Sequence, residues 1–212
     1  ARERYLIHEP MAGALGIGLD VELPEGNMII DIGGGTTDVA VIALSGIVTD
    51  QSIRVAGDDF TMDIVEYVKR QHNILIGERT AEQVKIHVGS ALQDLENPPE
   101  DFAVHGRDLL TGIPKQVTVA YSEIAGCLDK SISKIEEAIM KALESTPPEL
   151  ASDIYRKGIY LTGGGALLRG LDKRIAMKTK LPVKVADDPL RAVVRGTGIA
   201  LKNRHRYTFL MS

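Results

Sequence analysis

The pattern of hydrophobic positions predicts short strands near the start of the chain. Two apolar runs, MIIDI (28–32) and TDVAVIAL (37–44), flank three consecutive glycines, and a third strand-like run follows a Ser-Gly turn. Short apolar runs that are joined by tight turns are typical of an antiparallel meander. A short strand over 4–8 and a helix over 10–19 are expected ahead of this meander.

Helical periodicity dominates the rest of the chain, where apolar residues recur every three or four positions. The expected N-caps are Asp58 or Asp59, Thr80 and Ser122, and Pro147-Pro148 is expected to end a long helix. The predicted elements are helices at 58–74, 80–92, 122–146 and 190–203, two strands within 102–121, a strand and a helix on either side of a glycine turn within 158–180, and a short strand within 181–189.

This order of elements predicts an α/β protein made of two nested pieces. Residues 1–58 and 130–201 are expected to form one α/β body, and residues 59–129 an inserted lobe of helices and strands. The remaining tail, 202–212, is basic and then aromatic. Such a tail can touch an anionic membrane.

Composition and charge exclude some classes of function. The 212 residues are 44% hydrophobic and 25% charged, which is enough for a sizeable core. The formal net charge of −4 argues against a nucleic-acid-binding protein, which would usually carry a basic patch. Cys127 is the single cysteine, so no internal disulfide can form, which suits a reducing cytosol. No apolar run approaches the ~18 residues of a membrane span.

The glycine run at 33–35 carries the first candidate chemistry. Successive glycine N–H groups can form an anion-binding nest, and the hydroxyls of Thr36 and Thr37 would add donors beside it. Asp31 ends the preceding strand and Asp38 comes after the turn, so either carboxylate could meet a Mg²⁺ ion. A triphosphate with Mg²⁺ fits this arrangement. A glycine-rich hairpin with solvated carboxylates is the alternative.

A second glycine run comes after another apolar strand, in YLTGGGALLRGL, where Gly163, Gly164 and Gly165 precede an expected helix. Such a turn favours a phosphate or another polar ligand, although close packing of strand on helix would also explain it. Glu9 stands at a strand end before Pro10, where a carboxylate can orient an attacking water. An exposed loop Glu is the alternative there. Neither glycine run matches the P-loop or the dinucleotide-binding fingerprint.

Taken together, these stretches resemble motifs of the actin-like ATPase superfamily. DIGGGTTD resembles its second phosphate motif, and LTGGGALLRGL resembles its adenosine motif. Over nearly the whole chain the sequence most resembles the MreB family of bacterial actins, with GERTAEQVKIHVGSA, PPELASDI and DDPLRAVVRGTGIAL as further matches. The resemblance implies a ribonuclease H-like, actin-type ATPase lobe, a mixed sheet flanked by helices, with an inserted α+β subdomain.

The resemblance also implies a role for each matching residue. Glu9 would position the hydrolytic water, and Asp31 would serve the Mg²⁺ shell. The nucleotide itself would be held by three groups of residues: Gly33, Gly34, Gly35, Thr36 and Thr37 at the phosphates; Gly57, Asp58, Glu82 and Lys85 at the ribose and adenosine; and Gly163, Gly164 and Gly165 behind it. His8 and Ala56 depart from the usual pattern, where an acidic or amide residue and a second glycine are common. Glu82 and Lys85, three apart on a helix, could instead simply pair with each other.

A protein of this kind would bind ATP with Mg²⁺, form filaments by self-association and work with the membrane and the cell-wall synthesis machinery. It would be cytoplasmic, at the inner face of the membrane, and would determine cell shape. The chain resembles only the second of two lobes, so the first phosphate loop is expected upstream of Ala1. We expect the tail at 202–212 to pack on that first lobe in the intact protein. We therefore expect weak ATPase activity in the full-length protein and little or none in this chain alone.

Other interpretations of the glycine motifs stay open at the level of sequence. A chaperone-type ATPase would need a substrate-binding domain downstream, and the chain ends about ten residues after its last expected helix. A sugar-kinase-like phosphotransferase would need a dedicated catalytic Asp, for which no further candidate stands out. A scaffold that has lost nucleotide binding is disfavoured because Glu9, Asp31 and both glycine runs are present.

Overall fold

The computed structural model describes residues 4–211, so residues 1–3 of the predicted body and Ser212 of the predicted tail lie outside it. Within that range the chain forms seven α-helices and eight strands. In chain order they are α1 (Glu9–Gly16), β1 (Asn27–Ile32), β2 (Thr37–Ala43), β3 (Gly46–Ile53), α2 (Gly57–His72), β4 (Ile74–Leu75), α3 (Glu78–Val88), β5 (Phe102–Asp108), β6 (Pro114–Val119), α4 (Tyr121–Glu144), α5 (Pro148–Lys157), β7 (Ile159–Thr162), α6 (Leu171–Thr179), β8 (Val183–Val185) and α7 (Ala192–Lys202).

The larger sheet has the strand order β3-β2-β1-β7-β8. The first three strands form the predicted antiparallel meander, whereas β7 and β8 join it in parallel. Every residue of β1 is buried, because helices cover both faces of the sheet. Met28 and Ile30 enter the main core with α4, and Ile29 packs in a second cluster with α1 and α7. A mixed sheet flanked by helices, as predicted, is confirmed.

A second, antiparallel sheet has the order β4-β5-β6, and α3 packs against β5 while α2 packs against α3. All three of its strands lie within residues 59–129. The α4 helix runs across the predicted boundary at 129–130, and one hydrophobic core is continuous from α2 and α3 to β7. The division into a body and an inserted lobe therefore stays a prediction.

Helices α1 and α7 cross with their backbones almost in contact. A Cβ atom on Gly16 would lie 1.7 Å from the carbonyl oxygen of Ala192, and one on Gly196 would lie 1.7 Å from that of Ala12. Only glycine fits at either position, because no real Cβ approaches another atom so closely. This crossing fixes the start of α1, and with it Glu9, on the sheet.

The helix α5 is absent from the sequence prediction, which treats Pro147-Pro148 only as a stop. Pro148 is the first residue of this helix, where a fixed φ and a missing N–H are no disadvantage. All three predicted N-caps are also wrong. The α2 helix begins after Ala56 and not at Asp58 or Asp59. The α3 helix begins after Gly77 and not at Thr80, and α4 begins after Ala120, whose N–H the Glu123 carboxylate accepts at 2.8 Å.

The ends of the described chain also differ from expectation. In place of a strand over 4–8 there is a single antiparallel bridge, between Leu6 and Met211. Tyr207 is only 9% exposed and packs, with Phe209, in the cluster formed by α1 and α7. The tail aromatics thus pack on the body, and packing of the tail on a further lobe stays a prediction. Within residues 4–211 no helix is both long and apolar enough to cross a bilayer.

Candidate functional site

The two glycine turns meet at the carboxyl ends of β1 and β7. These strands pair in parallel with Asp31 beside Thr162, so the residues after them emerge at one edge of the sheet. Gly163 has a φ of +81°, and a Cβ there would lie 2.4 Å from Oδ1 of Asp31 and 2.3 Å from the carbonyl oxygen of Ile32. The second turn therefore lies directly against the carboxylate that begins the first.

The Asp31 carboxyl is held in an environment that disfavours its charge. The residue is only 4% exposed. Burial is the main cause that raises its pKa from the ordinary 3.8 to about 6, and the negative charges of Glu9 and Asp38 add to the rise, while a hydrogen bond with Thr162 opposes it. A buried carboxylate that faces two other carboxylates is a site where a cation would be strongly favoured.

Glu9 and Asp38 surround Asp31 from two directions. Glu9 is the exposed first residue of α1, and Asp38 lies opposite Asp31 in the β1–β2 ladder. Among the described residues, however, no group of three His, Cys, Asp or Glu side chains is close enough to hold a metal ion by itself. The arrangement suits Mg²⁺, which borrows one or two carboxylates and keeps its remaining ligands as water or phosphate oxygens.

The first glycine turn presents its backbone N–H groups to solvent. The amide of Gly33 donates to the carbonyl of Thr36 at 2.9 Å, which closes the turn. Within residues 4–211 the amides of Gly34, Gly35 and Thr36 donate to no backbone carbonyl, and all three residues are exposed. Adjacent unpaired N–H groups at a tight turn are what an anionic group such as a phosphate needs.

The start of α2 rests on this turn. The amide of Gly57 donates to the carbonyl of Gly33 at 3.1 Å, and that of Asp58 donates to the carbonyl of Gly34 at 2.8 Å. A Cβ on Gly57 would lie 3.1 Å from the same Gly33 oxygen. Gly57 and Asp58 thus adjoin the turn, as the resemblance implied, and Ala56 precedes them in an extended conformation that does not require glycine.

One predicted contact is wrong. The glycine-turn motif predicts that the Thr37 hydroxyl donates beside the anion-binding nest, but this side chain is fully buried and donates to the carbonyl of Val55 at 2.7 Å. Because alternate residues of a strand point to opposite faces, the first residue of β2 turns its side chain into the core. Thr36 stays exposed at the turn, where its hydroxyl is accessible.

Lys85 of α3 connects the inserted segment to the glycine turn. Its ammonium group donates to the carbonyl of Gly57 at 2.8 Å and to the Thr61 hydroxyl at 3.0 Å, and it pairs with Glu82 at 2.7 Å. An ammonium group has three N–H donors, so all of them are used. Glu82 and Lys85 thus pair with each other, and Lys85 also cross-links α3 to α2, while contact of either residue with a nucleotide stays a prediction.

A cleft of about 460 Å³ opens beside this cross-link, between α2 and α3. Burial disfavours ionisation of Glu82 in its wall, but hydrogen bonds from Lys85 and Thr61 outweigh burial and lower its pKa below the ordinary value. No sequence pattern indicated Thr61, which donates to Glu82 at 2.8 Å. The lining residues are Asp58, Thr61, Met62, Glu78, Arg79 and Glu82.

The second glycine turn leads into a different element from the predicted one. Gly164 begins a short 3-10 helix that ends at Leu167, and α6 begins only at Leu171. The prediction of an α-helix N-terminus directly behind the turn is therefore wrong. Gly165 packs tightly, since a Cβ there would lie 2.2 Å from the Cγ2 atom of Ile32, whereas Gly164 is exposed.

The residues present fit a nucleotide with Mg²⁺. Three unpaired turn amides suit phosphate oxygens, and the buried Asp31 carboxylate suits the shell of a divalent cation. The α2–α3 cleft, which starts at Asp58, offers a place for the sugar and base. Thr162 is a member of this site that the sequence motifs did not single out, although it directly precedes the second glycine run.

Solved structures of other proteins share this architecture. MreB5 of Spiroplasma citri bound to AMPPNP matches with a TM-score of 0.90 and 44% identity, over 94% of this chain and 59% of that one. The MamK double helical filament matches with a TM-score of 0.74 over 92% of this chain and 58% of that one, and its 23% identity shows likeness of fold alone. The predicted actin-type fold is confirmed.

Sequence relatives agree with the structural match. The cell shape-determining protein Mbl of Bacillus subtilis (strain 168) is 47% identical over 199 residues, which are 94% of this chain and 59% of that protein. The cell shape-determining protein MreB of Escherichia coli (strain K12) is 50% identical over 202 residues, 95% of this chain and 58% of that protein. The profile of the family described as MreB/Mbl protein matches residues 1–208. The chain belongs to the MreB/Mbl family of actin-like proteins.

Proposed function

We propose that this chain is the nucleotide-binding lobe of a bacterial actin-like cytoskeletal protein. In this proposal the full-length protein forms filaments whose assembly depends on bound ATP and Mg²⁺. The filaments determine cell shape by organising cell-wall synthesis at the inner face of the membrane. Relatives of about 50% identity named as cell shape-determining proteins support the cellular role.

The observation that carries the proposal is the contact between the two glycine turns. Gly163 lies so close to Asp31 that a single methyl group would not fit between them. Two glycine-rich turns about 130 residues apart thereby bound one site that contains a buried carboxylate and unpaired amides. A glycine-rich hairpin alone would require neither the second turn nor the burial of Asp31.

Each part of the site has a distinct task in this proposal. The amides of Gly34, Gly35 and Thr36 bind phosphate oxygens, and Asp31 orients the waters of a Mg²⁺ ion. The ion itself would neutralise charge on the phosphates. Glu9, exposed at the start of α1, positions the attacking water. Glu82 and Lys85 fix the wall of the cleft for the sugar and base, and Gly164 and Gly165 back the nucleotide.

The chain spans about 59% of the curated relatives it matches. Phosphoryl transfer depends on positioning from all sides of the phosphate. We therefore expect weak ATPase activity in the full-length protein and weak nucleotide binding with little or no hydrolysis by this chain alone. Membership of the MreB/Mbl family favours the filament former over the chaperone-type and sugar-kinase-like alternatives.

Light scattering and pelleting of the full-length protein, with and without Mg-ATP, test this function. We expect nucleotide-dependent scattering that pellets, and its loss in Asp31→Ala. Circular dichroism would establish that the variant is folded, and Asp101→Ala, at an exposed position, is the matched control. Turnover of ATP without scattering at any concentration would instead support the chaperone-type or kinase-like alternatives.

A further inference from the structure

A segment between α3 and β5 crosses onto the start of α6; we call residues 89–96 the strap. The amide of Ala91 donates to the carbonyl of Arg169 at 2.8 Å, and Ser90 forms a parallel bridge with Arg169. Ser90 is fully buried, and its hydroxyl donates to the carbonyl of Leu92 at 2.7 Å. The strap is therefore held by backbone contacts over its first residues.

Arg174 of α6 holds the strap from the other side. Its guanidinium pairs with Glu136 at 2.9 Å and with Asp129 at 2.8 Å, both on α4, and donates to the carbonyl of Ala91 at 3.2 Å and to Ser133 at 3.2 Å. The side chains of Arg174 and Glu136 are only 14% and 10% exposed. One planar group thus joins α4, α6 and the strap, which a lysine could not do with the same geometry.

The strap continues directly from the helix that reaches the glycine turn. Lys85 lies in the last turn of α3, only a few residues before Ala91. Its ammonium binds the carbonyl of Gly57, and the amide of Gly57 binds the carbonyl of Gly33. Arg174 is therefore connected to the first glycine turn through the strap, the α3 helix with Lys85, and Gly57. The α6 helix that carries Arg174 also follows the second glycine turn in the chain.

We propose that Arg174 is a positioning residue for the nucleotide site. By fixing the strap, it holds α3 in the place where Glu82 lines the cleft and Lys85 braces it against Gly57, beside the first glycine turn. Arg174 does not touch the nucleotide in this proposal, which rests on the proposed nucleotide binding. Its effect should fall on the sugar and base, because the turn amides are held locally by the Gly33–Thr36 hydrogen bond.

The test compares two probes on the full-length protein by titration calorimetry, Mg-ADP and Mg-pyrophosphate. For Arg174→Met we expect about a tenfold loss of affinity for Mg-ADP, with pyrophosphate changed less than about twofold. Arg174→Lys keeps the charge and should restore part of the affinity. It is also the variant to measure if Arg174→Met does not fold. Lys178→Met is the matched control, because Lys178 is an exposed basic residue of the same helix.

A double variant tests whether the effect passes through α3. If it does, Arg174→Met adds little to the loss already caused by Lys85→Met, whereas independent residues would give additive losses. Unchanged Mg-ADP affinity with a lower melting temperature, equal losses for both probes, or additive losses would each overturn the proposal. Failure of the unmutated protein to bind Mg-ADP would overturn it together with the proposed function, and so is distinguishable from a failure of this inference alone.

Discussion

A Cβ atom on Gly163 would lie 2.4 Å from the Oδ1 atom of Asp31. The two residues are 132 positions apart, yet the parallel pairing of β1 with β7 brings them to the same sheet edge. This contact joins the glycine turn after each strand into one site. It also makes Gly163 the position where a minimal change has the clearest expected effect.

Replacing Gly163 by alanine should destabilise the protein and weaken Mg-nucleotide binding. The new methyl would collide with backbone and carboxylate atoms, and the positive φ would add strain, for a total of about 3 kcal/mol or more. Urea unfolding and calorimetric titration with Mg-ADP would measure the two effects.

Gly18→Ala is the matched control, since Gly18 has a φ of +80° but nothing within 4 Å of a Cβ. It should cost only about 1 kcal/mol, the strain of the backbone alone. Equal destabilisation of the two variants would contradict the close approach of Gly163 to Asp31.

The ligand-free protein should lose stability as the pH rises through the range in which Asp31 ionises. The folded pKa of about 6 lies above the ordinary 3.8, so the folded state binds the extra proton between these values. Stability therefore declines from about pH 4 to pH 6 and stays lower above it, by up to about 3 kcal/mol for a shift of about two pKa units.

Asp31→Asn should remove this pH dependence and be more stable than the unmutated protein at pH 8, but not at pH 4. Urea unfolding at both pH values would show the difference, with Asp101→Asn as an exposed control. The same variant should lose Mg-dependent nucleotide binding. If the variant is less stable than the unmutated protein at pH 8, the ionised Asp31 carboxylate stabilises the fold. That result would contradict the view that its burial is a cost that only a bound cation offsets.

The crossing of α1 and α7 should tolerate no side chain. Gly196→Ala would place a methyl group 1.7 Å from the Ala12 carbonyl oxygen, so the helices must separate, at a cost of about 3 kcal/mol. Gly198→Ala, in the same helix with nothing within 4 Å, should instead stabilise by up to about 1 kcal/mol because alanine favours helix. Thermal unfolding of both variants would check the contrast, and similar melting temperatures would contradict the close crossing.

Loss of the Lys85 cross-link should weaken nucleotide binding more than it lowers stability. In Lys85→Met the Gly57 carbonyl and Glu82 lose a charged partner that is largely shielded from solvent, and the cleft wall is no longer fixed. We expect about a tenfold loss of Mg-ADP affinity, of the size of one hydrogen bond to a charged group. Lys69→Met, which removes an exposed pair with Glu66 at 3.6 Å, is the control and should leave binding unchanged.

Elements of the fold could be predicted from the sequence where the interacting residues are close together along the chain, and not where they are far apart. The β1–β3 meander followed from short apolar runs joined by tight turns, and its prediction is confirmed. The parallel partner of β1 lies far along the chain, so local patterns could not identify it, and only the resemblance of the second glycine run linked the two turns. The sequence prediction missed α5 because proline is common both just after a helix and at the first position of one. The pattern alone does not distinguish these two uses.

The candidate site was predictable in its glycines and less so in its side chains. The turns at 33–35 and 163–165 could be predicted because a run of glycines destabilises a strand-like segment. Its presence therefore indicates a functional or packing requirement. The burial of the Thr37 hydroxyl was not foreseen, since it depends on which face of β2 meets the core. The three bonds of Lys85 and the role of Thr61 require the packing of α3 on α2, which no periodicity specifies.

The structure of the full-length protein crystallised with Mg-AMPPNP tests most directly whether the two glycine turns form one nucleotide site. We expect phosphate oxygens within hydrogen-bond distance of the amides of Gly34, Gly35 and Thr36, the metal shell at Asp31, and the sugar in the cleft between α2 and α3. A nucleotide bound elsewhere, or bound with Asp31 still buried and far from the metal, would contradict the proposed site.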